Sequence, residues 1–413
     1  MDQREERLRK LKGLNERGIE PYPHSYKPTH KTDEIVKNFD SLHSQKERVQ
    51  IAGRILSIRN HGRSTFAHLS DEKGKIQIYL KEDRLGEKVY SNLRLLDIGD
   101  ILGVKGEVFR TQKGEVTVLG EEISLLAKSL NPLPEKWHGL KEKELRYRRR
   151  YLDLMMSEES REIFRKRFRM IQVIRRVLEG KGFMEVETPT LQPQYGGAFA
   201  TPFTTYHKAM DNHLYLRIAD ELYLKRLIVG GFERIYEICK DFRNEGMDSL
   251  HQPEFTQIEA YQAYGDYNDM MDLVEEIFLE VTRELTGGEV VPYQGEILRF
   301  TRPWKRVSYF EGLKEALGTD FKGMDEAEVR KFCTRIGLEA DPKATRGKLL
   351  DLLFSEKVQP RLIQPTFVLD HPKEISPLAK SHRMEDGLVE RFEPVVARLE
   401  IGNAFSELND PID

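Results

Sequence analysis

The chain has few of the residues that cross-link a secreted protein or carry a protein through a membrane. It contains two cysteines, Cys239 and Cys333, which are far apart and have no histidine or cysteine cluster beside them. This pattern argues against disulfides and against a structural zinc site, and we expect both side chains to be buried. No apolar run approaches the length of a membrane span, and the N-terminus lacks an apolar targeting segment. The sequence therefore predicts a cytoplasmic protein with no membrane partner.

An excess of charge of one sign is also missing. Although 33% of the 413 residues are charged, the formal net charge is −3. This excludes a general polyanion binder, so any contact with nucleic acid is expected in local patches. The length predicts two or three domains with a large buried core.

The clearest functional signal is a pair of alternating stretches within residues 232–261. Apolar and polar residues alternate up to Ile238 and again over Glu254–Tyr261, as in half-buried strands. The second strand is predicted to place four side chains on one face, namely Phe255, Gln257, Glu259 and Tyr261. Arg243 and Glu245 fall where the first strand ends, so we predict the floor of a pocket for a charged ligand. A solvated hairpin with a surface ion pair is equally compatible with the alternation alone.

Residues 48–125 contain several short strands separated by Gly, Asn and Asp turns, which predicts a small sandwich or barrel. The OB-fold is the barrel of this kind whose outer strand face binds single-stranded nucleic acid. Phe66 and His68 share a strand face, Arg59 lies just upstream, and Gln77 lies on the next strand. An aromatic ring flanked by cations and an amide suits unstacked bases. The pattern alone fits equally well with Phe66 as a core residue.

Two further stretches carry predictions. From Glu159 an amphipathic helix is expected, followed by a strand that reaches residue 191. Within Glu393–Asp410, alternation predicts one face with Asn403, Phe405 and Glu407 and the opposite face with Glu400. Glu393 and Glu400 are close in sequence and suit a hard cation such as magnesium, although two glutamates on a strand are commonly solvated.

The literal strings point to a family. FRNEG followed by H-x-PEFT resembles motif 2 of class II aminoacyl-tRNA synthetases, and ELYLKRLIVGGFERIYEI and EIGNAFSELND resemble class II lysyl-tRNA synthetases. The resemblance implies an α+β protein, with an N-terminal OB-fold β-barrel followed by a class II synthetase domain whose central antiparallel sheet is flanked by helices. The implied domains are an N-terminal helix and lead-in at 1–47, an anticodon-binding domain at 48–130, a connector at 131–155 and a catalytic domain at 156–413.

The resemblance also implies an activity: L-lysine is activated with ATP to lysyl-adenylate and transferred to the 3′ end of tRNA(Lys). Arg243 is then the catalytic residue that holds the α-phosphate, and Mg²⁺ on ATP is held by Glu393 and Glu400. A homodimer is implied through the helix and strand of 159–191. The implied lysine site comprises Gly197, Glu221, Glu259, Tyr261, Asn403, Phe405 and Glu407. The implied ATP site comprises Arg243, Glu245, His251, Gln252 and Phe255, and the anticodon site comprises Arg59, Phe66, His68 and Gln77.

One departure of the sequence from the family is serious. The glycine-rich motif 3, whose arginine covers adenine in the family, is absent before Asp413, so we expect these 413 residues to bind ATP poorly. Two alternatives therefore stay open beside the tRNA-charging enzyme. One is a lysyl-transferring paralogue that modifies a protein, against which the barrel of 48–125 counts. The other is a non-catalytic RNA-binding module derived from a synthetase.

Overall fold

The computed structural model describes residues 2–133 and 142–412. The chain divides into two compact units, Met1–Arg161 (unit 1) and Glu162–Asp413 (unit 2). The predicted connector at 131–155 includes residues 134–141, which lie outside the described residues. The domain boundaries inferred from the sequence stay predictions.

Unit 1 is a five-stranded barrel with helices before, within and after it. Its helices are α1 (Gln3–Glu16), α2 (Thr32–Lys37), α3 (Phe39–Ser44), α4 (Glu82–Leu85), α5 (Glu87–Tyr90), the 3₁₀ helix Ser91–Leu95, α6 (Lys143–Arg148) and α7 (Arg150–Met156). Its strands are β1 (Arg48–His61), β2 (Ser64–Ser70), β3 (Lys75–Lys81), β4 (Ile101–Arg110) and β5 (Val116–Ala127).

The five strands close in the order β1-β2-β3-β5-β4, which confirms the predicted OB-fold barrel. On β2 and β3 burial alternates strictly, so every second side chain enters the barrel. Ala67, Leu69, Ile76, Ile78 and Leu80 are among the core residues. The intervening residues of the same strands form an outer face.

Unit 2 contains the remaining elements, and the division between the units falls in the first turn of α8. The helices are α8 (Glu158–Gly180), α9 (Glu221–Val229), α10 (Tyr267–Thr286), α11 (Tyr309–Leu317), α12 (Glu326–Arg335), α13 (Arg346–Lys357) and the 3₁₀ helices Gln359–Arg361 and Lys373–Ile375. The strands are β6 (Met184–Glu185), β7 (Leu191–Gln192), β8 (Thr204–His207), β9 (Asn212–Leu216), β10 (Arg234–Phe242), β11 (Glu254–Gln262), β12 (Val290–Tyr293), β13 (Glu296–Arg299), β14 (Lys305–Ser308), β15 (Thr366–Pro372), β16 (Leu388–Val396), β17 (Leu399–Glu400) and β18 (Ala404–Phe405).

The sheets of unit 2 are mainly antiparallel. The pairs β10–β11 and β15–β16 are antiparallel, whereas β6 pairs parallel with β10 and β14 pairs parallel with β15. The first sheet has the order β11-β10-β6, and the second has the order β14-β15-β16-β17, with β18 also paired to β16. The combination of antiparallel sheets and flanking helices confirms the predicted fold class.

Helix α10 packs on both sheets. The Asp266 side chain caps its first turn, and Gly287 ends it in the left-handed conformation with φ +75°. Met271 joins a core cluster with Phe392 of β16, and Leu273 joins another with Tyr236 of β10. The helix thereby fixes the two sheets that carry the candidate site.

The strand predicted to reach residue 191 is broken. Only Met184–Glu185 and Leu191–Gln192 form strand pairs, in two different sheets. Pro189 lies between them and has no N–H for a strand ladder.

The prediction for the faces of residues 400–407 is wrong in one respect. Val395 pairs with Glu400, but Arg391 pairs with Phe405, so the register slips by one residue between β17 and β18. Since paired residues point to the same side, Glu400 and Phe405 share a face instead of lying on opposite faces. Pro394 stands between the two short segments and has no N–H to donate, although its carbonyl accepts from the N–H of Ile401.

None of the helices in the described parts of the chain combines the length and the apolar character that a membrane crossing needs.

Candidate functional site

The face of β10 and β11 that carries the predicted pocket is acidic; it is buried on β10 and half-buried on β11. Directly opposed residues on antiparallel strands share a face. The opposed pairs on this face are Asp241–Phe255, Cys239–Gln257, Glu237–Glu259 and Ile235–Tyr261. The alternation in the sequence therefore places Gln257, Glu259 and Tyr261 side by side, as predicted.

Glu259 lies at the centre of this face. Its two carboxylate oxygens accept from Gln257 Nε2 at 2.7 Å and from the Tyr261 hydroxyl at 3.0 Å. Burial and the nearby Asp220 carboxylate raise its pKa to about 9. Among the described residues Glu259 makes no ion pair, so this carboxyl group is available to a cationic ligand.

Glu221 lies in the first turn of α9 and is 7% exposed. Gly197, with φ +87°, lies against it. A Cβ atom on residue 197 would be 3.0 Å from Glu221 Cβ and 3.1 Å from Ala219 Cβ, so only glycine lets the loop approach this closely. The predicted lysine-site residues Gly197 and Glu221 are therefore adjacent.

An ammonium group of the chain itself lies between two of the predicted carboxylates. Lys225 Nζ donates to Glu221 Oε1 at 2.5 Å and lies 2.8 Å from Glu407 Oε2. The same Nζ is 5.9 Å from the centroid of the Phe405 ring. Because Glu221 and Glu407 flank one cation above an aromatic ring, the structure shows that this lining accommodates an alkylammonium group.

Tyr261 is influenced by all three predicted carboxylates. Its phenol pKa is raised by burial and by the charges of Glu259, Glu221 and Glu407. Residues from β11, α9 and the segment after β18 thus lie near enough to one another to act on a single phenol group.

Asn403 forms its side-chain hydrogen bond outside this group. Its Oδ1 accepts from Arg391 Nε at 2.9 Å, and Arg391 Nη2 is 2.5 Å from Glu393 Oε1. In this structure Asn403 is therefore tied to the predicted metal-site residues.

Arg243 and Phe255 are in contact at the end of the hairpin. The guanidinium lies 5.1 Å from the centroid of the Phe255 ring, and its Nε donates to the carbonyl of Ile218 at 3.3 Å. The cation is thereby held at the edge of the pocket, where it can meet a phosphate.

The other predicted ATP residues lie in the exposed loop between β10 and β11. Asp248 organises this loop, since its Oδ2 lies 2.8 Å from His251 Nδ1 and its carbonyl accepts from Gln252 Nε2 at 3.1 Å. Contact with His251 lowers the pKa of Asp248 to about 2. Glu245 is exposed, and the structure does not join Glu245, His251 or Gln252 to Arg243 through their side chains.

Glu393 and Glu400 lie on the same face of neighbouring strands. Glu393 Oε2 is 3.4 Å from His371 Nε2, and Arg391 contacts its other oxygen. Burial and the charge of Glu393 raise the pKa of Glu400 to about 7. Two carboxylates that repel each other in this way fit a divalent cation, which would relieve the repulsion.

A second acidic cluster lies beside Glu259. Cys239 and Asp241 alternate on β10, and Asp220 is the residue before α9. The Cys239 thiol is 3.6 Å from Asp220 Oδ2 and 3.7 Å from Asp241 Oδ1. Burial raises the pKa of all three groups, that of Asp241 to about 6. Cys239 is buried as expected, but between carboxylates rather than among apolar side chains.

The outer face of the unit 1 barrel carries the predicted base-binding residues. Phe66 stacks on Tyr79 with centroids 4.2 Å apart and an angle of 13°. Arg59 is opposite Phe66 on β1, and His68 is opposite Gln77 on β3. Phe66 is outside the barrel core, so the core alternative is wrong. His68 Nε2 and Gln77 Nε2 each lie 2.9 Å from the Glu115 carboxylate.

Several residues of both sites were missed from the sequence. Lys225 lies four residues after Glu221, a spacing that predicts an ion pair on a helix. Cys239 and Asp241 continue the alternation of β10, and Tyr79 continues that of β3 beyond Gln77. Following each alternation to the end of its strand would have found these residues.

Comparison with known proteins agrees with the family that the sequence motifs indicate. Residues 142–413 match the family described as tRNA synthetases class II (D, K and N), and residues 49–132 match an OB-fold nucleic acid binding domain. The chain is 51% identical over 408 residues to the lysine–tRNA ligase of Moorella thermoacetica, covering 98% of this chain and 83% of that protein. The lysine–tRNA ligase of Carboxydothermus hydrogenoformans is 50% identical, with the same coverage of both chains. That of Roseiflexus castenholzii is 51% identical over 412 residues, covering 99% of this chain and 84% of that protein.

Proposed function

We propose that this chain, which belongs to the lysine–tRNA ligase family of class II aminoacyl-tRNA synthetases, activates L-lysine with ATP and transfers the lysyl group to the 3′ end of tRNA(Lys). The observation that carries the proposal is that Glu221 and Glu407 already flank one ammonium group, that of Lys225, while Glu259 is hydrogen-bonded to Tyr261 and forms no ion pair within the described residues. Carboxylates around an aromatic lining suit a dication with an apolar stem, because a buried ammonium must be paired and hydrogen-bonded.

The two amino groups of lysine have separate partners in this proposal. The side-chain ammonium is assigned to Glu259 and Tyr261, since Glu259 is half-buried and has no ion pair within the described parts of the chain. The α-amino group is assigned to Glu221, beside Gly197. Phe405 covers the methylene groups, as its ring already covers Lys225. Asn403 is assigned to the same lining on the family resemblance alone, since its side chain accepts a hydrogen bond from Arg391 in this structure.

Activation requires no protein nucleophile. The lysine carboxylate attacks the α-phosphorus of ATP in line, the P–O bond to pyrophosphate breaks, and lysyl-adenylate forms. Arg243 holds the α-phosphate, and Phe255, which the guanidinium already contacts, supports the adenine. Such transfers depend mainly on positioning and on charge stabilisation. Glu245, His251 and Gln252 are assigned to ATP through closure of their exposed loop.

Mg²⁺ is proposed at Glu393 and Glu400, whose mutual repulsion supports a cation between them. When bound, the ion neutralises phosphate charge. Arg391 keeps Glu393 oriented from the same strand.

The outer face of the unit 1 barrel is proposed to bind the anticodon. Phe66 offers a ring for a base, with Tyr79 stacked behind it, and Gln77 and His68 offer edges for hydrogen bonds. Arg59 adds a cation beside the ring. These residues bind tRNA without taking part in activation.

A homodimer through residues 159–191 is proposed from the outer face of α8 and the strands after it. Ile163 and Phe168 are 59% and 60% exposed, and Met184 and Leu191 are also exposed. A second copy of the chain would remove these apolar side chains from water.

The test is lysine-dependent exchange of pyrophosphate into ATP, followed by charging of purified tRNA(Lys). We expect the Glu259→Gln variant to lose exchange with lysine. The Glu254→Gln variant is the matched control, because it removes an exposed carboxylate from the same strand. Normal exchange by Glu259→Gln would refute the assignment of the side-chain ammonium, and absence of lysine-dependent exchange in the unaltered protein at saturating ATP would refute the function.

A further inference from the structure

The cluster formed by Asp220, Cys239 and Asp241 has no role in the proposed reaction. It joins the residue before α9 to two alternate positions of β10. All three side chains are buried: Asp220 and Asp241 are 0% exposed and Cys239 is 7% exposed. One candidate ligand atom from each residue lies within 4.8 Å of the other two.

The distances match those of a known coordination geometry. In a tetrahedral site with a zinc–sulfur bond of about 2.3 Å and zinc–oxygen bonds of about 2.0–2.2 Å, sulfur and oxygen ligands are about 3.5–3.7 Å apart. The Cys239 sulfur lies 3.6 Å from Asp220 Oδ2 and 3.7 Å from Asp241 Oδ1. Both sulfur–oxygen distances therefore match those of a bound ion, and all three ligand atoms lie within 4.8 Å of one another.

Independent support comes from the hydrogen bonds that these carboxylates lack. Asp220 Oδ1 and Asp241 Oδ2 are buried without a hydrogen-bond partner. A thiol has a single hydrogen, so Cys239 cannot donate to both carboxylates at once. The two unpaired oxygens are the second oxygens of the carboxylates that contact the thiol. Leaving them unpaired is costly, and a cation bound by both oxygens of each carboxylate would remove that cost.

The position of Asp220 points the same way. An aspartate before a helix commonly caps the first turn, but the Asp220 side chain makes no capping hydrogen bond. It contacts the thiol instead. The Asp220 side chain therefore contacts the cluster instead of capping the helix.

Charge balance also favours a cation. Arg217 is the cation in contact with this cluster within the described residues, with its Nε 3.4 Å from Asp241 Oδ1. The same guanidinium forms a 2.8 Å ion pair with Glu237. The Arg217 guanidinium is thus shared between Glu237 and Asp241. Asp220 forms no ion pair with any described residue.

We propose that Asp220, Cys239 and Asp241 bind a zinc-class divalent cation, distinct from the magnesium assigned to Glu393 and Glu400. Sulfur together with carboxylate oxygen favours zinc over magnesium, which takes oxygen ligands. Three protein ligands leave one tetrahedral position for water or a further carboxylate. Because Asp220 directly precedes Glu221, the ion would tie the start of α9 to β10.

The experiment measures binding of the metal alone. The protein is stripped with a chelator and titrated with Zn²⁺, and Co²⁺ is then used as a spectroscopic probe of thiolate ligation. We expect one tightly bound Zn²⁺ per chain and a thiolate-to-cobalt charge-transfer band. Both are lost in Cys239→Ser, and Zn²⁺ affinity falls at least tenfold in Asp241→Asn. The matched control is Cys333→Ser, since Cys333 is also buried but lies in an apolar cluster.

Circular dichroism of each stripped variant shows whether it is folded, so that loss of metal is read only from folded protein. If Cys239→Ser does not fold, Asp241→Asn and the cobalt spectrum of the unaltered protein decide the question. No Zn²⁺ binding by the unaltered protein, or equal binding by folded Cys239→Ser, would overturn the proposal. In that case Asp220 is expected to share a proton with a neighbouring carboxyl group. Lysine-dependent exchange measured in parallel separates this failure from failure of the proposed function.

Discussion

Lysine binding should release a proton, because Glu259 is protonated in the free pocket. With a pKa of about 9, only about one molecule in a hundred carries the ionised carboxylate at pH 7. An ammonium ligand favours the ionised form, so its pKa falls on binding and the proton leaves. Lysine affinity should therefore rise about tenfold per pH unit, or roughly a hundredfold from pH 6 to pH 8.

The assay is isothermal titration calorimetry of lysine on protein freed of divalent cations, in buffers with different ionisation enthalpies. We expect release of close to one proton per lysine at pH 7. Glu259→Gln should release none, and its affinity should be nearly independent of pH. At pH 8 it should bind about ten- to a hundredfold more weakly, which corresponds to a lost charged hydrogen bond of about 1.5–3 kcal/mol. Equal proton release by Glu259→Gln and the unaltered protein would refute the reasoning.

Three other predictions follow from the same geometry. Glu259→Gln should stabilise the free protein. Because folding raises the pKa of the Glu259 carboxyl group, that group contributes stability below pH 4.5 that is lost as the pH rises towards 9. At pH 7 the loss is about 3 kcal/mol, from about 1.4 kcal/mol per pH unit. Urea unfolding at pH 5.5 and pH 8 should show a gain that grows with pH, and an equal gain at both values would contradict this. Gly197→Ala should raise the KM for lysine far more than it lowers kcat, because its Cβ would press on Glu221; an unchanged KM in the exchange assay would contradict the contact. Phe66→Ala should lower kcat/KM for tRNA charging about fivefold to a hundredfold and leave exchange unchanged, as expected for about 1–3 kcal/mol of base stacking; equal charging would remove the anticodon assignment.

The parts of the site that could be predicted from sequence are those carried by regular strands. Period-two alternation over Glu254–Tyr261 predicted a shared face, and the hydrogen bonds from Gln257 and Tyr261 to Glu259 require it. The five barrel strands followed from the same rule. Where the strands are regular, the residue type at each position was enough to predict the face of the sheet on which its side chain lies.

The parts that could not be predicted depend on irregular backbone and on tertiary contacts. Alternation failed after Glu400 because Pro394 on the neighbouring strand interrupts pairing and the register slips by one residue. The contact of Cys239 with Asp220 joins residues 19 positions apart on a strand and before a helix, and no local pattern encodes that distance. The same is true of the placement of Lys225 against Glu407.

The central claim is that carboxylates from three separate elements select a cationic amino acid. The most direct measurement is ATP–pyrophosphate exchange by the purified protein with each of the twenty amino acids in turn. The account predicts exchange with lysine and only background with aspartate and asparagine, whose side chains would meet Glu259 as an acid or a neutral amide. Exchange with aspartate or asparagine in place of lysine would contradict it.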